Sequence, residues 1–198
     1  DATARNATSR ILRPGRPPAG DVTEAETTMA ERIEMVWTLT EQCLAWKVTV
    51  NSDFRDLVAA FNDRNVDFIV VGAHALAAHG HVRATNDLDI WIRADAENAA
   101  RALGALRAFG APLHDLTAAD LETPGVVIQI GLRPSESDIL THVDGLTFDE
   151  AWAGRVATTF ADLPVAVLSR EHLIANTRAV GRLQDLADVA RLLGDVDP

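Results

Sequence analysis

Two periods of hydrophobic and polar residues alternate along most of the chain. Segments in which apolar residues recur every three or four positions predict helices at 52–61, 73–79, 96–109, 148–152, 169–178 and 183–193. Short apolar runs, or alternations of apolar with polar residues, predict strands at 67–71, 87–92, 126–132, 138–143, 156–160 and 163–168. Helices that alternate with strands in this way predict an α+β (mixed α/β) fold, in which helices pack on a small mixed β-sheet.

The N-terminal quarter of the chain does not follow this pattern. Residues 1–22 contain three Pro and two Gly but few large apolar side chains, so we expect a disordered tail. Residues 23–51 begin with a capping-box pattern at Thr23 and Glu26 and continue with apolar residues at helical spacing. They predict an amphipathic helix or linker that docks on its own domain or on a second copy of the chain. Its polar face is acidic, which disfavours a membrane surface.

Composition and charge exclude several kinds of function. The 198 residues are 47% hydrophobic and 24% charged, which is typical of one globular domain with an appendage. The formal charge of −11 disfavours binding of nucleic acid or anionic lipid without a local Arg patch. Lys47 is the only lysine, which argues against a lysine-based phosphate loop, and a single cysteine, Cys43, cannot form an internal disulfide. We expect a cytoplasmic protein, since no apolar run approaches the ~18 residues of a membrane span.

Three aspartates are the strongest candidates for chemistry. Asp87 and Asp89 are two residues apart in a predicted strand, so both carboxylates point to the same face. Asp138 comes from a separate predicted strand and is a candidate third acid. Carboxylates held in this way suit Mg²⁺, and a third acid can also accept a proton from an attacking hydroxyl. The alternative is that these acids are solvated residues at strand ends or edges.

Gly72 lies between a predicted strand and a predicted helix. A glycine at such a turn allows close approach of the backbone to a ligand, and the N–H groups of the following helix favour phosphate. Many strand-to-helix turns contain glycine without binding anything. The order of strand, Gly-Ala turn, helix, Asp-x-Asp strand and later lone Asp is much rarer than any of its parts.

Together these segments resemble the nucleotidyltransferase superfamily of the DNA polymerase β type. More narrowly, they are similar to an uncharacterised bacterial group related to the nucleotidyltransferase toxins of the abortive-infection AbiEii class. The residues that carry the resemblance are 70–80 (VVGAHALAAHG), 83–91 (RATNDLDIW), 137–141 (SDILT), 148–155 (FDEAWAGR) and 176–188 (NTRAVGRLQDLAD). The resemblance makes 52–198 a nucleotidyltransferase-like domain and implies a small mixed sheet.

The resemblance also implies roles for individual residues. It places two Mg²⁺ ions on Asp87, Asp89 and Asp138 as catalytic and metal-binding acids, with the triphosphate of an NTP on the Gly72 turn. Further candidates for nucleotide binding are Ala73, Arg83, Thr85, Arg178 and Arg182. Ala73 departs from the usual Gly-Ser or Gly-Gly turn, and Thr177 stands where related sequences have Lys. Arg178 and Arg182 could equally form surface ion pairs with nearby acids.

Two functions follow from these predictions. The first is Mg²⁺-dependent transfer of a nucleoside monophosphate from an NTP to a hydroxyl of an RNA end, a protein or a small molecule, with an antitoxin partner or a homodimer through the N-terminal helix. The second is a catalytically inactive nucleotidyltransferase-like module that binds nucleotide or protein. The acids favour the enzyme, whereas Ala73 and Thr177 favour the module. His74, His79 and His81 lack zinc-site spacing and are expected to be packing or surface residues.

Overall fold

The structure of the protein is a computed structural model that describes residues 9–12, 52–81, 85, 87–132, 135–181, 192 and 194. The predicted helix or linker at 23–51 lies outside these residues, as does the predicted last helix at 183–193 except for residue 192. The described helices are α1 (Ser52–Asp63), α2 (Gly72–Ala78), α3 (Ala96–Phe109), α4 (Ala118–Glu122), α5 (Phe148–Ala153) and α6 (Arg170–Val180). The described strands are β1 (Ser9–Leu12), β2 (Phe68–Val70), β3 (Asp87–Ile92), β4 (Val127–Leu132), β5 (Ser135–Leu140), β6 (Val156–Phe160) and β7 (Leu163–Val167).

The described strands form one mixed sheet in the order β1-β4-β5-β3-β2-β7-β6. Strand β3 is parallel to β5 and β2 is parallel to β7, whereas the other neighbouring pairs are antiparallel. The parallel β3–β5 pair is joined through α3, α4 and β4. This architecture confirms the predicted α+β (mixed α/β) fold with helices on a mixed sheet.

The two faces of the sheet differ in polarity. Ile90 is the cross-strand neighbour of both Val70 and Ile139, so these side chains share one face, which is fully apolar here. Helices α1 and α3 contact each other, and Phe61 of α1 meets Phe68 edge to face at 5.5 Å. The opposite face carries the acids of β3 and β5. None of the helices in the described part of the chain is long and apolar enough to cross a membrane.

A buried asparagine ties α3 to the sheet. Asn98 is fully buried, and its side chain accepts from the N–H of Asp67 at 2.8 Å and donates to the carbonyl oxygens of Asp67 and Arg93 at 3.0 and 2.9 Å. The side chain of Asp95 caps the same helix by accepting from the N–H of Asn98 at 2.8 Å. The ends of β2 and β3 are therefore fixed relative to α3.

The structure corrects the predicted bounds of one strand and adds one helix that was not predicted. Strand β5 runs from Ser135 to Leu140, not over 138–143, because its polar first residues pair with the end of β4. Thr141 ends the strand, since its hydroxyl accepts from the N–H of Val126 and donates to the carbonyl of Thr123. Helix α4 was not predicted, although Thr117 and Asp120 form a capping box that marks its start.

The segment Ser9–Leu12 lies within the predicted tail of residues 1–22. In the structure it pairs antiparallel with β4 over four residues, from Ser9 opposite Ile130 to Leu12 opposite Val127. The Pro and Gly residues used to predict the tail all follow this segment in the sequence. The rest of 1–22 lies outside the described residues.

Candidate active site

Strand β3 places two carboxylates on the polar face of the sheet. Asp87 and Asp89 are partly buried, whereas Leu88 and Ile90 between and after them are fully buried on the apolar face. The hydroxyl of Thr85 accepts from the N–H of Asp87 and donates to its carbonyl, both at 3.2 Å. Thr85 therefore fixes the backbone where the strand begins.

Strand β5 brings the third predicted acid next to this pair. Asp138 is directly opposite Asp89 in the parallel register, and Glu136 is opposite Asp87. Cross-strand neighbours point to the same face, so Asp89 and Asp138 project together. On the other side of β5, Gln129 of β4 is the neighbour of Asp138. The prediction that Asp138 belongs with the β3 acids fits this register.

The Gly72 turn lies directly against Asp89. The N–H of Val71 donates to the carbonyl of Asp89 at 3.0 Å, and Gly72 has a φ of +61°. A Cβ atom at position 72 would lie only 2.1 Å from Oδ2 of Asp89. A side chain at this position would therefore take the space of the carboxylate, which explains the need for glycine here. Ala73, the next residue, is buried.

A cleft of about 440 Å³ opens above these residues. Its floor includes Asp89 and Asp138, and the Gly72 turn forms one side. The opposite wall comes from the loop after β5 and from α6. The remaining lining residues are Val71, Ala73, Leu76, Val127, Leu140, His142, Val143, Asp144, Leu173, Asn176, Thr177 and Val180. Beyond the acids the same face of β3 is closed by Trp91, whose ring meets Phe148 of α5 at 5.1 Å.

The electrostatics of the cleft are dominated by carboxylates. Asp89, Asp138 and Asp144 line it, and among the described lining residues His142 is the only one with a basic side chain. Burial raises the pKa of Asp138 above its ordinary value of 3.8, and the negative charges of Asp87 and Glu136 act in the same direction. A hydrogen bond from the Gln129 side chain partly opposes this shift. Ionised Asp138 is thus costly without a positive charge nearby.

Two observations indicate that Asp89 and Asp138 could bind a divalent cation. Oδ1 of Asp138 is buried and has no hydrogen-bond partner within the described part of the chain. Because glycine has no side chain, the Asp89 carboxylate can lie directly beside the turn at Gly72. Carboxylate oxygens are the ligands that Mg²⁺ prefers. No three His, Cys, Asp or Glu side chains among the described residues are gathered closely enough to hold a metal ion by themselves.

The other predicted site residues have varied positions. Asp87 shares the face of Asp89 but is not part of the cleft lining, and Arg178 is exposed on α6 and is not part of the lining either. Arg83 and Arg182 lie outside the described residues. The nucleotide-binding roles of Gly72, Ala73, Arg83, Thr85, Arg178 and Arg182 stay predictions.

His74 of α2 and His79, the C-cap of that helix, make contacts within the fold. The ring of His74 meets Phe54 and Phe160 edge to face at 6.1 and 5.5 Å. Burial lowers the pKa of His74 to about 4, although an interaction with the backbone of Asp87 partly opposes the shift. Nε2 of His79 lies 2.7 Å from the carbonyl oxygen of Leu168. Neither ring lines the cleft.

Sequence reasoning missed two polar residues of the cleft, His142 and Asp144. Both lie beyond Leu140, where β5 has ended, but the alternation of the strand continues through them: His142 and Asp144 are exposed, whereas Thr141 and Val143 are buried. Counting every second residue from Asp138 would have found them.

Comparisons with known proteins support the fold. No protein-family model matches the chain, and no curated protein matches its sequence. Among solved structures, TM1012 from Thermotoga maritima, assigned to the nucleotidyltransferases, is 13% identical with a TM-score of 0.50, over 75% of this chain and 97% of that one. The chain has a nucleotidyltransferase-like fold.

Two further solved structures are similar at lower TM-scores. The antibiotic-resistance factor ANT(2'')-Ia is 14% identical with a TM-score of 0.48, over 74% of this chain and 83% of that one. The lincosamide antibiotic adenylyltransferase LnuA, bound to lincomycin, is 12% identical with a TM-score of 0.49, over 75% of this chain and 99% of that one.

Proposed function

We propose that this chain is a Mg²⁺-dependent nucleotidyltransferase that moves a nucleoside monophosphate from an NTP to a hydroxyl acceptor. The observation that carries the proposal is the placement of Asp89 and Asp138 side by side on the cleft floor, with Asp89 against the Gly72 turn. The nucleotidyltransferase-like fold supports it, as does the setting of Asp138, where burial and then the negative charges of Asp87 and Glu136 raise the pKa of the carboxyl group.

The chain's own residues would bind and orient the reactants. Asp89 and Asp138 would hold the cation in the cleft, with Asp87 on the same face of β3 as the predicted third acid, and oxygens of the nucleotide would have to complete the ligand set. The cation would supply the positive charge that neutralises the triphosphate and the transition state. The backbone of the Gly72 turn would approach the phosphates, as the resemblance implies, and the absence of a side chain at Gly72 leaves room for the Asp89 carboxylate beside it. Thr85 holds Asp87 in place through its backbone. Positioning and charge neutralisation would supply most of the rate, as in phosphoryl transfer generally.

The test combines binding with transfer. Wild-type protein should melt at a higher temperature with MgATP or another Mg-NTP than without it, and should transfer an α-labelled nucleotide to an RNA, protein or small-molecule acceptor. Asp89→Asn should lose transfer by orders of magnitude and lose most of the stabilisation by Mg-NTP. Asp115→Asn, at an exposed position outside the cleft, is the matched control and should keep both. An Asp89→Asn protein that transfers at the wild-type rate would refute the proposal.

A second function, an inactive nucleotide- or protein-binding module, is favoured by specific residues. Ala73 is buried and has no hydroxyl, and Thr177 lines the cleft where the resemblance leads us to expect Lys. Wild-type protein that is stabilised by Mg-NTP but transfers nothing to any acceptor class would favour this module over the enzyme.

The narrower resemblance to AbiEii-class toxins adds a partner to the proposal. Expression of the wild-type chain should then arrest growth, and an antitoxin should relieve this arrest. Expression of Asp89→Asn should not arrest growth, with or without the antitoxin. Homodimerisation through 23–51 is a separate proposal, which sedimentation of the chain with and without residues 1–51 would test. A monomer in both cases would refute it.

A further inference from the structure

The loop between β5 and α5 presents His142 and Asp144 to the cleft as a pair. Nε2 of His142 lies 3.8 Å from Oδ1 of Asp144, and the two side chains are 50% and 63% exposed. Both line the cleft whose floor carries Asp89 and Asp138. An imidazole beside a carboxylate, open to a cleft and to solvent, is a common arrangement for accepting a proton.

The backbone that carries this pair is fixed on both sides. Thr141 is buried, and its hydroxyl contacts the backbone of Thr123 and Val126. The side-chain amide of Asn176 on α6 donates to the carbonyl of Asp144 at 2.9 Å. Gly145 has a φ of +79°, and a Cβ there would lie 2.8 Å from Cβ of Ala179. The loop is therefore held against α6, so His142 projects from a constrained backbone.

The charged residues that line the cleft with His142 narrow the choice of proton acceptor. Asp144 on its own loop, Asp89 on β3 and Asp138 on β5 are the charged residues of the described lining, and α6 contributes the uncharged Asn176. The acids of the floor are candidate cation ligands, and a carboxylate bound to a cation is a poor proton acceptor. His142 and Asp144 are then the described titratable lining residues left to take a proton while Asp89 and Asp138 hold a cation.

We propose that His142, oriented by Asp144, accepts the proton of the acceptor hydroxyl during nucleotidyl transfer; this rests on the function proposed above. The acceptor oxygen forms a bond to the α-phosphorus, and the bond from that phosphorus to the bridging oxygen of the β-phosphate breaks. Pyrophosphate leaves with the electron pair, and the hydroxyl proton passes to the imidazole and then to solvent. Asp144 is a positioning residue that stabilises the imidazolium.

The test follows pyrophosphate release from MgATP by the full chain. The acceptor is the one found in the transfer assay, or water where only hydrolysis to AMP is detected. His142→Asn should reduce kcat by about 10²-fold, the lower end of the range for general-base catalysis, with an unchanged KM for ATP. The wild-type kcat should depend on pH, as general-base catalysis requires, and this dependence should disappear in His142→Asn. Asp144→Asn should lower kcat by less.

The matched control is His114→Asn, at an exposed position outside the cleft with a φ of 41°, a conformation that Asn tolerates. It should keep the wild-type rate and pH profile. Wild-type pH dependence retained in His142→Asn would overturn the role of His142 and leave the proposed function standing. A wild type that neither transfers nor hydrolyses would overturn the proposed function, and this proposal with it.

Discussion

Gly72→Ala tests the contact on which the candidate site depends most directly. The substitution has two separable effects. Position 72 has a φ of +61°, where a side chain is strained, and the new Cβ would lie 2.1 Å from Oδ2 of Asp89. Because that distance is far below van der Waals contact, the Asp89 carboxylate or the turn must move.

The two effects have different magnitudes. Backbone strain in the left-handed region costs about 1–2 kcal/mol, and forcing an extra methyl group into a packed site costs about 1–3 kcal/mol more. Gly72→Ala should therefore lower the free energy of unfolding by about 2–5 kcal/mol. Gly110→Ala is the matched control, since Gly110 has a φ of +86° and no atom within 4 Å of an added Cβ. It should show the strain alone.

Urea unfolding of both variants measures the difference, and the melting temperature with and without MgATP measures the functional effect. We expect Gly72→Ala to lose the stabilisation by MgATP, and Gly110→Ala to keep it. Adding Asp89→Ala to Gly72→Ala should recover the steric part of the loss but not the strain. If Gly72→Ala costs no more than Gly110→Ala, the close contact between Gly72 and Asp89 is wrong.

Three further predictions concern the stability of the fold. Burial raises the pKa of Asp138, so the folded state binds its proton more tightly than the unfolded chain and loses stability as pH rises above the ordinary value of 3.8. Asp138→Asn should be more stable than wild type at pH 7 without metal and lose this advantage below pH 3.8; equal differences at both pH values in urea titrations would contradict it. Asn98→Ala should cost about 2–4 kcal/mol by denaturation because it removes the hydrogen bonds of a fully buried side chain to the N–H of Asp67 and to the carbonyl oxygens of Asp67 and Arg93. Asn62→Ala, which loses one exposed hydrogen bond, should cost less than about 1 kcal/mol. Deletion of 1–22 should lower the melting temperature by a few degrees, since it removes strand β1, and an unchanged value would instead support a dispensable tail.

Local patterns predicted most of the described elements, because periodicity and capping are properties of neighbouring residues. The alternation in DLDIWI predicted β3 with its correct bounds, and the helix predicted at 169–178 corresponds to α6, whose N-cap is Ser169. The end of β5 could not be predicted in this way. It depends on hydrogen bonds between Thr141 and residues 15–18 positions earlier in the chain, which no local pattern contains.

The features of the candidate site also differ in whether neighbouring residues or distant contacts determine them. The shared face of Asp87 and Asp89 follows from strand geometry, so the sequence was sufficient. That Asp89 pairs with Asp138 depends on a parallel register between strands that are separated in the chain by two helices and a strand. The closeness of Gly72 to Asp89 is also a property of the fold, since these residues are 17 positions apart and meet through the β2–β3 pair. His142 was not predicted as a site residue because the cleft that it lines is formed by elements that are distant in the sequence.

The charge of the cleft sets a condition on any nucleotide that binds there. Asp89, Asp138 and Asp144 line it, and no Arg or Lys is among its described lining residues. A triphosphate brought into that field would be repelled unless a cation accompanied it, because like charges at short range in a partly buried site cost far more than in water. Ala73 and Thr177 also line the cleft, but their uncharged side chains do not offset its negative charge. Under the proposed function, nucleotide binding and cation binding must then be coupled, and by linkage ATP increases the affinity for Mg²⁺ by the same factor as Mg²⁺ increases the affinity for ATP.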